Sequence, residues 1–182
     1  GVVEIYTEAR KAQDEAFKNC MPHIIKAWDE FGKQFGRQYK PVETYKTEDA
    51  ETIFVMMGSI SETAMTAVDA MRAAGKKVGV VRLRLFRPFP AAAFFDAVKG
   101  AKNVIVCDRV SSFTGGDVAA PVALEVKSIF YDRKHYPKVR NFLVGLGGRD
   151  VSVENFTEMA DQIAASKDDG VPVAYEFINV RE

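Results

Sequence analysis

Three arginines stand within six residues, Arg82, Arg84 and Arg87 in VRLRLFRPFP at residues 81–90. A guanidinium donates in a bidentate fork, so Arg84 and Arg87 could clamp a carboxylate or a phosphate. They could equally pair with acidic residues of a neighbour. Pairing is the favoured reading, because no nucleophile or base stands close by to specify a reaction. A second candidate is DRVSSFTGGD at residues 108–117, which sets Asp108 beside Arg109 and places Gly115 and Gly116 just ahead of a helical stretch. Free backbone amides there could hold an anion. Ser111 and Ser112 have no candidate base in the same segment, which makes nucleophilic catalysis a weak idea. A third is GLGGRD at residues 145–150, where Arg149 follows a glycine-rich turn. A tight turn is the safer reading there than an anion nest. His23 and His135 sit in a helical stretch and in the polar loop RKHYPK, and nothing makes either a general base or a metal ligand.

The elements that must position these groups follow from periodicity. Short apolar runs at 52–57, 78–86, 103–107 and 139–145 alternate with stretches able to form helices, which points to a largely parallel sheet covered on both faces. Val78, Val80 and Val81 read as a strand buried on both sides, ending near Phe86 because Pro88 and Pro90 cannot continue a ladder. Ser59 and Glu62 have capping-box spacing, ahead of a helix whose buried stripe is Ala64, Ala67, Val68, Met71 and Ala74 and which Gly75 closes. Further helices are expected from Pro90, with Phe94, Phe95 and Val98 apolar, over 121–130, and from a Ser152 cap with Phe156, Met159 and Ile163 on one face. The turn after the first apolar run, MGSISE at 57–62, lacks the G-x-G-x-x-G spacing, and no P-loop pattern occurs.

Residues 7–36 read as two helices broken at Met21-Pro22, with Ile24, Trp28, Phe31 and Phe35 on one face. Docking of that face onto the chain's own body is favoured over an interface with another domain or subunit. The organisation expected is a helical segment or linker over 1–40, an α/β domain over 41–167 and an extended tail over 168–182.

The chain has 182 residues, 47% of them apolar, enough for one sizeable core. Its 25 basic and 25 acidic side chains cancel, so no general field favours nucleic acid or an anionic membrane. No run approaches a membrane span and no signal peptide opens the chain. Cys20 and Cys107 are the only thiols and form no Cys-x-x-Cys pair, as expected of a reduced, cytoplasmic protein without zinc or iron–sulfur ligation. A start at Gly1 suggests a processed or excised piece.

Three strings go further: VRLRLFRPFP at 81–90, DRVSSFTGG at 108–116 and FLVGLGGRDV at 142–151. With FGKQFGRQYKPVETYKTEDAE before the first long strand and MGS after it, they resemble the pyruvate:ferredoxin (flavodoxin) oxidoreductase family. The likeness is to the C-terminal domain of its alpha subunit, or domain II of the single-chain enzyme, from about residue 31 to 163. It implies a transketolase C-terminal-like fold: three layers, α/β/α, around a mostly parallel five-stranded sheet with one antiparallel edge strand, which residues 42–46 could supply. It also implies an enzyme that converts a 2-oxoacid and coenzyme A (CoA) to acyl-CoA and CO2 on thiamine diphosphate, passing electrons through iron–sulfur clusters to ferredoxin or flavodoxin. Pyruvate is the preferred substrate over 2-oxoisovalerate. No Gly-Asp-Gly…Asn diphosphate motif is found, and two cysteines cannot ligate the clusters, so no catalytic, cofactor or metal residue is carried over. The expectation is a non-catalytic supporting domain, with Arg84, Arg87, Asp108, Arg109, Gly115, Gly116 and Arg149 as candidate inter-domain or anion contacts. The alternatives are a small module binding an anion or a CoA phosphate, and a subunit-assembly scaffold acting through the Trp28 helix.

Overall fold

A computed structural model describes residues 3–116, 118–131, 133–134, 136–166 and 174–181. A long helix α1 (Val3–Phe35) precedes strand β1 (Val42–Tyr45), and the chain then alternates: β2 (Thr52–Met57), α2 (Ile60–Ala73), β3 (Val78–Leu83), α3 (Ala91–Val98), β4 (Asn103–Asp108), α4 (Pro121–Phe130), β5 (Lys138–Leu143), α5 (Val153–Ala165) and β6 (Glu176–Phe177). The strands form one sheet in the order β1-β3-β2-β4-β5-β6. Among the described residues only β1 runs antiparallel, pairing Val42 with Leu83 and Tyr45 with Val80 at the edge expected for it.

Strict alternation along the strands divides the core in two. Phe54, Met56, Val78, Val80, Ile105, Cys107 and Phe142 face α2 and α5, where Val68, Met71, Phe156, Met159 and Ile163 pack against them. Ile53, Val55, Val81, Leu83, Val104 and Val106 face α3 and α4, meeting Phe94, Val98, Val122, Val126 and Phe130. This is the three-layer α/β/α arrangement expected, with strands buried on both faces. Gly79 permits the closest approach within it, since a Cβ there would lie 2.5 Å from the Lys46 carbonyl oxygen.

Several expectations are corrected. Residues 7–36 form one helix rather than two, with Pro22 inside α1. The helix is exposed there, so water can take the carbonyl that proline leaves unbonded. The third strand stops at Leu83, not near Phe86, because both neighbours run out opposite it: Val42 starts β1 there and Met57 ends β2. Ser59 makes no side-chain cap and is itself helical, with φ −67° and ψ −27°. Glu62, its expected box partner, bonds Arg82 instead. Ala74 is an exposed C-cap outside the buried stripe. The sheet has six strands among the described residues, since β6 in the tail adds to the five expected.

Ser152 does cap α5: its Oγ accepts from Asn155 N, and Asn155 Oδ1 accepts from Ser152 N at 3.0 Å. The α1 face does not bury itself on the sheet body. No described residue of α1 is buried, and Phe31 instead stacks on Tyr39 of the following connector at 5.7 Å.

Candidate functional site

The strand order reverses between β2 and β4, and in such sheets the carboxyl ends of the strands at the reversal are where ligands gather. The group at the end of β4 is Asp108, only 2% exposed. Its Oδ1 accepts from Val122 N at 3.0 Å and its Oδ2 from Ala123 N at 3.2 Å, so the carboxylate closes the amino end of α4. Asn141 on β5 completes the cap, donating Nδ2 to Asp108 Oδ2 at 3.0 Å and accepting Ala120 N at 2.8 Å. The free amides that could have received an external anion at this helix are therefore taken by side chains of the same chain. Burial, the largest influence, raises the Asp108 pKa, while the three N–H donors pull it down. Gly115 and Gly116 take positive φ, +72° and +93°, in the turn before α4.

Each of the four arginine candidates is held within the chain. Arg84 Nε lies 3.0 Å from Glu43 Oε2, and its guanidinium stands 4.8 Å from the Tyr39 ring centroid. Arg87 pairs with Glu125 on α4 and covers the Phe86 ring at 4.1 Å. Arg109 Nε donates to the Gly145 carbonyl at 2.8 Å, tying the turn after β4 to the turn after β5. Arg149 Nη1 donates to the Asn179 carbonyl and so holds the tail. The residues thus share the carboxyl end of the sheet but do not converge on one point. Among the described residues, the buried hydroxyl of Ser112 has no hydrogen-bond partner and no group is placed to take its proton.

Sequence reasoning missed Glu43, Glu125, Asn141 and Asn179, which partner the candidates. Glu43 is one of two adjacent polar residues in the β1 run VETY, which does not single it out, and nothing local marks a polar Asn141 inside a buried strand as a cap partner. His23 is exposed on α1, whereas Asp117, His135 and the start of the tail lie outside the described residues.

The family described as Pyruvate:ferredoxin oxidoreductase core domain II matches residues 50–156, more than half of the chain. The chain belongs to the pyruvate:ferredoxin oxidoreductase core domain II family. It is 38% identical over 156 residues to the pyruvate synthase subunit PorA of Methanothermobacter thermautotrophicus, covering 86% of this chain and 39% of that protein. It is 32% identical over 180 residues to PorA of Methanosarcina barkeri, covering 98% of this chain and 44% of the relative. The chain thus spans about two fifths of the length of these curated relatives. In structure it resembles a split-gene transketolase solved as an inactive β4 tetramer, with a TM-score of 0.53 at 12% identity over 69% of this chain and 42% of that one. That likeness supports the transketolase-like fold.

Among the described residues, no group of three or more His, Cys, Asp or Glu side chains is arranged to hold a metal ion. Cys20 is on the exposed helix and Cys107 is buried in the core, where burial pushes its thiol pKa up. A separated pair of this kind cannot provide the four thiolates of a cluster. Among the described residues, no helix is long and apolar enough to cross a membrane.

Proposed function

We propose that this chain is a supporting, non-catalytic domain of a thiamine-diphosphate-dependent 2-oxoacid:ferredoxin oxidoreductase that acts on pyruvate. The observation that carries the proposal is that the chain binds its own strand-end groups: Asp108 caps α4, and Arg84, Arg87, Arg109 and Arg149 all have partners inside the chain. Groups tied in this way brace loops rather than transfer protons or hold a substrate.

In the whole enzyme, thiamine diphosphate, iron–sulfur clusters and CoA belong to other domains or subunits, and ferredoxin or flavodoxin takes the electrons. The complex works in the cytoplasm, away from nucleic acid and membrane. Arg84, Arg87, Arg109 and Arg149, with the Gly115-Gly116 turn, lie where neighbouring domains would touch the sheet's carboxyl end, and Asp108 acts one layer beneath them. The unit boundaries are 1–40, 41–167 and 168–182. Identity to PorA proteins supports pyruvate as the substrate.

The test uses the isolated chain in calorimetric titration with thiamine diphosphate and magnesium, and in an assay of pyruvate-dependent dye reduction. No binding and no reduction are expected; either one would overturn the reading. Saturable binding of CoA that is lost in Arg87→Ala would replace it with an anion-binding module.

A further inference from the structure

A cleft of about 340 Å³ opens at the carboxyl ends of β5 and β6, between the turn at residues 145–149 and the end of the tail. Because the two strands run parallel, both deliver their following turns to the same side, the side on which ligands of open α/β sheets gather. Beyond β4 the Asp108 cap takes up the helix amides, whereas the space beyond β5 stays open. Its volume lies at the lower end of small-molecule sites.

Two chemistries line the cleft. Leu143, Leu146, Phe177, Ile178 and Val180 supply apolar walls, of which Phe177 and Val180 remain 49% and 60% exposed. Arg149 and Arg181 supply two guanidiniums, and among the described residues no acidic side chain lines the cleft. Glu176, the acid of β6, pairs instead with Arg140 at 3.3 Å. Arg149 spends one N–H on the Asn179 carbonyl, which holds the guanidinium in place and leaves its other donors for a ligand. Arg181 makes no hydrogen bond or ion pair with a described residue.

Uncompensated positive charge beside apolar walls suits an amphipathic anion: a guanidinium fork receives a carboxylate, and the walls receive its tail. A ligand with a single methyl group would leave those walls wet. We infer that the cleft binds a monocarboxylate with an aliphatic tail, of which hexanoate is the simplest probe. This goes beyond the supporting-domain reading and does not depend on it.

The full chain would be titrated with hexanoate, acetate and hexanol while amide NMR shifts are followed. Saturable shifts at Leu146, Arg149, Phe177 and Val180 are expected with hexanoate. Binding about tenfold or more weaker is expected for acetate, which lacks the tail, and for hexanol, which lacks the charge. No saturation with hexanoate overturns the inference. Equal affinity for hexanol, meaning an apolar crevice only, or for acetate, meaning a site for any small anion, overturns it as well.

Two variants place the binding. Arg181→Gln removes one guanidinium without breaking a described contact, and Val180→Asp sets a carboxylate in the wall. Neither side chain belongs to the core, so the thermal transition is expected to stay in place. Hexanoate should bind about tenfold more weakly to the first and without saturation to the second. Wild-type affinity in either variant moves the binding elsewhere and overturns the inference.

Discussion

Asn141 on β5 donates its amide to Oδ2 of Asp108 on β4 across 3.0 Å. The same amide nitrogen reaches the Val106 carbonyl at 3.1 Å, so one side chain ties two strands and, through Ala120 N, the start of α4. A buried carboxylate is tolerated here because each oxygen has N–H partners.

Asp108→Asn keeps the shape but turns an N–H2 toward backbone donors. The expected loss is about 1–3 kcal/mol in denaturant titration at neutral pH. An unchanged midpoint would mean that the cap contributes nothing.

The pH dependence of Asp108 has a definite sign. Burial raises its folded-state pKa above the ordinary carboxyl value, so the folded chain holds this proton more tightly than the unfolded chain does. Its contribution is fully present below the ordinary value and is lost as pH rises through the raised one. Relative to Asp108→Asn, the wild-type chain should therefore lose stability with rising pH across that window in pH-resolved thermal melts. A gain would show that the N–H donors outweigh burial.

Glu43 and Arg84 are half-buried partners at the sheet edge. A double-mutant cycle with Glu43→Gln and Arg84→Ala should give a coupling of about 0.5–1 kcal/mol that shrinks as salt is added. Arg82, whose Nη1 lies 3.7 Å from Glu43, will share part of the effect of the Glu43 change. Additive single changes would remove the pair as a brace.

Gly79→Ala would drive a methyl group into the Lys46 carbonyl, backbone that cannot swing aside. A destabilisation of about 1–3 kcal/mol is expected, together with loosened β1 pairing visible as faster amide exchange at Tyr45. Wild-type stability would mean that the edge strand shifts freely.

Asn179 adopts φ +61°, exchanges amide bonds with Asn155 at 2.8 and 3.1 Å, and donates to the Asp150 carbonyl at 3.1 Å. Asn179→Ala loses these bonds and places alanine in a left-handed conformation, so a cost of about 1–3 kcal/mol and faster protease cleavage after residue 174 are expected. Gly at the same position should recover the conformational part only.

The layers were legible because they are local: period-two strands and period-four helix stripes state which side each residue buries, as Phe54 against Ile53 and Phe156 beside Met159 illustrate. Pro22 misled because a proline break assumes that the lost carbonyl bond matters, and on an exposed helix it matters little. Ser59 and Glu62 misled because a cap motif competes with tertiary partners, and Arg82 on β3 drew Glu62 away. At the candidate site, arginines at strand ends could be read directly, but their partners could not. Glu43 and Glu125 lie 41 residues before Arg84 and 38 after Arg87, separations at which only the folded sheet creates the contact. The role of Asp108 was hidden for the same reason, since its ligands come from α4 and β5.

Strand β6 is two residues long, yet it occupies the free side of β5, with Ile178 N reaching the Leu143 carbonyl at 3.1 Å. Without it, Phe142 and Leu143 would present open backbone groups on an apolar strand, a template on which further strands could add. The short tail therefore covers an edge on which further strands could add, and trimming it should be felt as lost solubility.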